Sequence, residues 1–188
     1  LSGDPNLKKA FLSGHDIHRA TAAFMFGKKP EDISADERSR AKAINYGLIY
    51  GMGPQRLARD TGVSVAEAKG FIENYFQGFP NIKGLIEGSI EFARSHGYSR
   101  TITGRRRPID GLDDPNGATA AYARNTAVNS PIQGSAADLI KMAMIHLAKA
   151  IGEKGLQSKI LLQVHDELVL ECPKSEVELV IPMVKQCM

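Results

Sequence analysis

Two tetrads, Ser34-Ala35-Asp36-Glu37 and Ser64-Val65-Ala66-Glu67, constrain the fold more than any other feature of this chain. Each is a capping box: the serine hydroxyl accepts from the backbone N–H three residues on, and the glutamate reaches back to the serine's own N–H. Two helix starts are therefore marked. The first helix is expected to run to about Tyr50 and to stop at Gly51-Met52-Gly53-Pro54. The second should run to about Phe76, ended by Gly78 and Pro80, and a third fits Ile82 to Ser95, closed by Gly97. Helical signals dominate residues 5 to 96.

The second half changes period. "GYSRTITGRRRPI" (97 to 109) reads as a short hairpin with Gly104 near its bend, followed by the polar loop "DGLDDPNG". Ala118 to Ala150 reads as helix, with Pro131 expected to break or kink it. In "KILLQVHDELVLEC" (159 to 172), Ile160, Leu161, Leu162 and Val164 face Leu168, Val169 and Leu170 as strand-forming runs. Ser175 to Gln186 reads as a last helix despite Pro182. The class is α+β, mostly helical, with a β-hairpin from an antiparallel sheet.

That hairpin poses a question. Tight turns favour Asn-Gly or Asp-Gly, which tolerate positive φ, whereas here His165, Asp166 and Glu167 stand at the crossing point. One reading is a solvated polar tip. The other is a carboxylate held at a rigid strand end for a divalent cation, since hard oxygen ligands suit Mg²⁺.

At 188 residues and 43% hydrophobic content the chain can bury a core as one domain or two small ones. Net charge is only +3, yet the cations gather at Lys8-Lys9, Lys28-Lys29, Arg38 to Lys42, Arg56 with Arg59, and Arg105-Arg106-Arg107. Such clusters suit a polyanion or are simply solvated charge runs. Cys172 and Cys187 lack metal-site spacing and are too few for a disulfide framework, which points to a reducing compartment. No stretch is long and apolar enough to span a membrane, and "LSGDPNLKKAF" has no signal-peptide pattern. The absence of an initiator Met and the stop at "VKQCM" are expected to be cut ends.

The most informative segment is "RSRAKAINYGLIYG" (38 to 51). Arg38, Lys42, Tyr46 and Tyr50 recur every four residues, a stripe about 18 Å long on a helix, with cations first and aromatics last. A nucleoside triphosphate has the same order: phosphates to meet Arg38, Lys42 and the helix N-terminus, then a flat base and sugar to meet Tyr46. Ala41, Ala43, Gly47 and Gly51 permit close approach by a ligand or another backbone. The alternative is an amphipathic helix with Ile44, Leu48 and Ile49 in the core and a basic face in water.

This segment resembles the fingers motif of family A DNA polymerases, the group of bacterial DNA polymerase I, and "QVHDEL" (163 to 168) resembles their palm hairpin motif. "DIHRATA" (16 to 22), "TGRRRPI" (103 to 109) and "NSPIQGSAADLIKMAM" (129 to 144) match intervening segments in the same order. The resemblance implies a helical fingers subdomain over 16–115 and part of a palm over 1–15 and 116–188. It implies a DNA-directed DNA polymerase, transferring nucleotides from dNTPs to a primer 3′-hydroxyl by two-metal catalysis, with primer-template DNA and dNTPs as partners. The rival class is a non-catalytic nucleic-acid-binding module. The intact protein is expected to be a monomer of the bacterial cytoplasm or another reducing, DNA-containing compartment, without membrane contact.

Residue by residue, the resemblance implies that Asp166 binds the Mg²⁺ pair, Glu167 assists it, and His165 touches the primer backbone. His18, Arg38 and Lys42 bind the triphosphate, with Lys42 also protonating pyrophosphate, and Tyr46 stacks on the nucleotide. Many family members carry phenylalanine at that aromatic position. Tyr50 and Gly51 guard the template position, Asn129 and Gln133 face the minor groove, and Arg105, Arg106 and Arg107 contact backbone phosphates.

Three departures accompany the resemblance. The family's second metal-binding aspartate belongs to a strand motif upstream of the position matching Leu1, so that ligand is expected outside this chain and the isolated fragment is expected to be inactive. Where the family usually has an arginine four residues before Asn129 there is Asn125, with Arg124 one residue earlier. The strand expected after the last helix, the thumb and the exonuclease-like domain are expected to lie outside these residues.

Overall fold

The computed structural model describes all residues except Ser13 and His15, and all side chains of the remainder except that of Ile49. Its elements are α1 (Pro5–Leu12), α2 (Ile17–Phe26), α3 (Ala35–Ile49), α4 (Pro54–Thr61), α5 (Val65–Gly78), α6 (Pro80–His96), β1 (Tyr98–Arg100) and β2 (Arg106–Pro108). They continue with α7 (Gly117–Glu153), β3 (Lys159–Val164), β4 (Glu167–Glu171) and α8 (Val177–Cys187), with 3₁₀ turns at Pro30–Asp32 and Lys174–Glu176. The mostly helical α+β class expected from the sequence is the class the chain adopts. Two compact units divide it: Leu1–Arg100 with Arg106–Ile132, and Thr101–Arg105 with Gln133–Met188.

In the first unit both capping boxes form. Glu37 N donates to Ser34 Oγ at 3.2 Å while Ser34 N donates to Glu37 Oε2 at 2.9 Å, and Ser64 with Glu67 repeats the pattern at 3.2 and 2.9 Å. Between the boxes the sequence reading assigns no helix to 54–61, yet α4 lies there. Pro54 is its first helical residue, as Pro80 is of α6. Proline suits that position because the N–H it lacks would have no intrahelical partner. A proline read as a stop is here a start.

The core of this unit is built from Ala22, Met25, Ala41, Ile44, Leu48, Leu57, Ala68, Tyr75, Phe79 and Ile82. A second cluster joins Ala93 of α6 to Ile109, Leu112, Ala123 and Ala127. Asp4, 1% exposed, fastens two helix starts at once: Asn6 N and Leu7 N donate to its Oδ1 at 3.0 Å each, and Asn81 N donates to its Oδ2 at 3.1 Å.

Where the sequence predicts a break or a kink at Pro131 there is no break: α7 runs from Gly117 to Glu153 with Pro131 inside. Proline has no N–H to offer the carbonyl four residues back, which is that of Ala127. The buried Ser99 hydroxyl, on β1, donates to Ala127 O at 3.0 Å and supplies the missing bond. α8 likewise continues through Pro182.

In the second unit β3 and β4 pair antiparallel from Lys159↔Glu171 to Val164↔Glu167, with an irregularity between Ile160 and Leu162. Among the described residues these two strands form their own two-stranded sheet, leaving Leu161, Leu162, Val164 and Val169 exposed. Glu176 fastens the entry to β3, accepting from Gln157 N at 2.9 Å, Ser158 N at 3.0 Å and Ser158 Oγ at 2.6 Å. Cys172 and Cys187 are free thiols. Among the described residues no helix is long and apolar enough to cross a membrane.

Candidate active site

The first unit carries a cluster built on α2 and α3. Asp16 is the N-cap of α2, its Oδ1 accepting from His18 N at 2.9 Å and Arg19 N at 3.3 Å. Its Oδ2 accepts from Arg38 Nε on α3. The Arg38 guanidinium holds the Asp16 carboxyl below the ordinary aspartate value.

His18 lies one turn into α2. Burial pushes its imidazole below the ordinary value; the Asp16 charge opposes that shift, and the charges of Arg38 and Lys42 reinforce it. The ring is thus neutral at pH 7, and its tautomer follows from its neighbours. Asn45 Nδ2 lies 3.0 Å from His18 Nδ1 and donates to Thr21 Oγ1 at 3.0 Å, while the Thr21 hydroxyl donates to Ile17 O at 2.8 Å. An amide N–H directed at Nδ1 leaves the ring proton on Nε2, a donor free to meet an anion. Tyr46 completes the cluster, 53% exposed, its ring 5.6 Å from that of His18 and tilted by 51°. The structure therefore brings together His18, Arg38, Lys42 and Tyr46. The opposite face of α3 buries Ala41, Ile44 and Leu48.

Two of the small residues on α3 and its exit turn receive the protein's own side chains. A Cβ at Gly47 would lie 2.6 Å from Met52 Sδ, and one at Gly51, whose φ is 73°, would lie 1.7 Å from Asn125 Oδ1. Asn125, at the position where the resemblance leads one to look for arginine, thus packs on the glycine beside Tyr50. Tyr50 itself is 45% exposed.

The basic run divides by partner. Arg105 is committed within its own unit, Nε donating to Asp138 Oδ1 at 2.8 Å and Nη2 to Gly134 O at 3.0 Å. Hydrogen bonds from Thr101 and Thr103, with Arg105 beside them, hold the Asp138 carboxyl at about 2. Arg106 lies over the Tyr98 ring at 4.7 Å, and Arg107 is exposed. On α7 Gln133 is exposed, and Asn129 Oδ1 is buried with no hydrogen-bond partner among the described residues. Elsewhere the clustered cations meet acids: Lys28 pairs with Glu37 at 2.6 Å, and Arg56 and Arg59 with Asp60 at 3.5 and 3.4 Å.

At the hairpin tip, the turn between Val164 and Glu167 consists of His165 and Asp166 alone. His165 has φ of 55°, the only positive φ outside glycine among the described residues. The histidine therefore adopts the backbone region that turn glycines usually occupy, and Gln163 Nε2 donates to its carbonyl at 2.8 Å, which steadies it. His165, Asp166 and Glu167 are exposed. The Asp166 carboxylate has no hydrogen-bond or ion-pair partner among the described residues, and no group of three or more metal-capable side chains occurs among them.

Sequence reading missed Asp16 and Asn45 as supports of this cluster. An aspartate just before a helix was a legible cap signal. Its pairing with Arg38, and the contact of Asn45 with His18, depend on how α2 packs on α3, which no local pattern encodes.

The sequence matches the family model of DNA polymerase family A over residues 1–188, and the chain belongs to that family. It is 47% identical over 189 residues to DNA polymerase I of Streptococcus pneumoniae serotype 4, covering 100% of this chain and 22% of that relative. To the thermostable DNA polymerase I of Thermus thermophilus it is 45% identical over 188 residues, with the same coverage of 100% and 22%. The chain thus spans 22% of the length of these curated relatives. Among solved structures, the POL domain of Pol1 from M. smegmatis, in complex with DNA primer-template and dNTP, superposes with a TM-score of 0.93 at 40% identity, over 100% of this chain and 33% of that one.

Proposed function

We propose that this chain is the nucleotide-selecting part, and one half of the metal site, of a DNA polymerase that extends a primer 3′-hydroxyl with dNTPs on a DNA template. The observation that carries this is the α2–α3 cluster, where two cations, a neutral histidine with Nε2–H free and an exposed tyrosine share one face. Residues 16–115 are assigned to the fingers, and 1–15 with 116–188 to part of the palm.

In this reading Arg38, Lys42 and His18 Nε2–H donate to the triphosphate, Tyr46 stacks on the nucleotide, and Lys42 protonates the departing pyrophosphate. Tyr50 and Gly51 border the template. Arg106 and Arg107 meet backbone phosphates, Asn129 and Gln133 the minor groove, and His165 the primer. Arg105 serves differently, holding the 101–105 loop to Asp138 of α7.

The tip fits a hard divalent cation: an oxygen donor on a two-residue turn, exposed and without a hydrogen-bond or ion-pair partner among the described residues. Asp166 would hold the metal with Glu167 beside it. Two Mg²⁺ ions, when bound, supply charge neutralisation at the transferred phosphoryl group. One carboxylate is too few ligands for them, so the second aspartate is assigned to sequence outside these residues. Two free thiols and a DNA substrate suit the bacterial cytoplasm, and the intact protein is assigned as a monomer.

Primer extension by the full-length protein with dNTPs and Mg²⁺ tests this. Template-directed extension supports it; DNA binding without extension would make the chain a nucleic-acid-binding module instead.

A further inference from the structure

We propose that Asp16 competes with the nucleotide for Arg38: its carboxylate holds the guanidinium while no triphosphate is bound, and yields it to phosphate when one binds. The inference rests on the reading of Arg38 as a triphosphate ligand.

Asp16 is anchored independently of Arg38. Its Oδ1 is held by two backbone N–H groups at the start of α2, so its Oδ2 stands at a set place toward α3. Arginine offers the same planar fork of donors to carboxylate and to phosphate, and a phosphate gripped through the Nε side of that fork needs the Nε–H that Asp16 Oδ2 holds. The Arg38 and Asp16 side chains are 40% and 33% exposed, so solvent reaches the pair and parting it costs little. Lys42 has no ion-pair partner among the described residues, and with His18 neutral the cluster holds two cations against one built-in anion.

The built-in anion has two effects. It weakens binding of a triphosphate, which must displace it, and it weakens retention of pyrophosphate, because Asp16 reclaims Arg38 as the product leaves. Substrate affinity is exchanged for product release.

The sign of one substitution decides. Asparagine caps helices as well as aspartate does, so Asp16→Asn keeps the start of α2 and removes the charge. In the full-length polymerase, Asp16→Asn is expected to lower the KM for dNTP by about three- to tenfold and to strengthen inhibition by added inorganic pyrophosphate by a similar factor. Its melting temperature should fall only slightly, because the pair with Arg38 is open to solvent. The gain should vanish in an Arg38→Ala background. An unchanged or raised KM for Asp16→Asn, or an equal gain without Arg38, overturns the competition. If Arg38→Ala itself leaves the KM for dNTP unchanged, the triphosphate reading of Arg38 fails first, a result separable from failure of the exchange alone.

Discussion

The α2–α3 cluster and the β3–β4 tip hold their charged groups in opposite ways. In the cluster, Arg38 is paired with Asp16, His18 is oriented by Asn45, and Asn45 is tied to a buried threonine. At the tip, backbone geometry presents Asp166, whose carboxylate has no hydrogen-bond or ion-pair partner among the described residues. A site that must recognise a large flexible polyanion gains from donors arranged before the ligand arrives. A metal ligand needs only a place and an open lone pair. Losses at the cluster should therefore spread between affinity, rate and stability, and losses at the tip should fall on chemistry alone.

The largest effect expected from this contrast is for Asp166→Ala in the full-length protein. Incorporation should fall by at least about a thousandfold, with primer-template affinity and melting temperature nearly unchanged. A loss of stability would mean that the tip is tied into the fold after all. Lys42→Ala should cost about ten- to a hundredfold in kcat/KM, divided between nucleotide affinity and the chemical step, because both a charge and a proton donor go. Single-turnover kinetics separate the two, and a pure KM effect would remove the proton-donor role.

Smaller still is the effect of one hydroxyl. If Tyr46 meets the nucleotide as proposed, the missing 3′-hydroxyl of a 2′,3′-dideoxynucleotide would leave a polar gap that the tyrosine hydroxyl could fill, a contact worth roughly tenfold in selectivity. Tyr46→Phe should therefore restore preference for normal dNTPs, measured by competition on one primer-template, with little loss of ordinary synthesis. The smallest effect is acid-dependent. Asp16 and Asp138 both have lowered values in the folded protein, so their stabilisation is complete above the ordinary aspartate range and is lost as pH falls through the folded values, about 2 for Asp138. A melt series from pH 5 downward should show stability declining with each step, and Asp138→Asn should flatten part of that decline.

Local chemistry made much of this legible. The capping boxes, Gly97 as the close of α6, and the hairpin strands follow from residue types at fixed spacing, and the family motifs followed from order along the chain. What was not legible depends on distant partners. Nothing near Pro54 says that it begins a helix rather than closing off the one before. Arg105 looks like its neighbours Arg106 and Arg107 until α7 brings Asp138 to it from 33 residues away. Asn125 carries no local sign that it will lie against Gly51.

Ser99 and Pro131 extend that lesson to the order in which the chain can change. Ser99→Ala alone leaves the Ala127 carbonyl buried without a donor and should cost about 1 to 3 kcal/mol. After Pro131→Ala, the new N–H at 131 can bond that carbonyl within the helix, and the same loss of the serine hydroxyl should cost well under about 1 kcal/mol. A double-mutant cycle measured by denaturant unfolding would show this as coupling of the two positions, and simple additivity would show that the hydroxyl does not substitute for the missing helix bond. Mutational paths through this pair would then have a direction: the proline can be given up first at little risk, whereas the serine cannot.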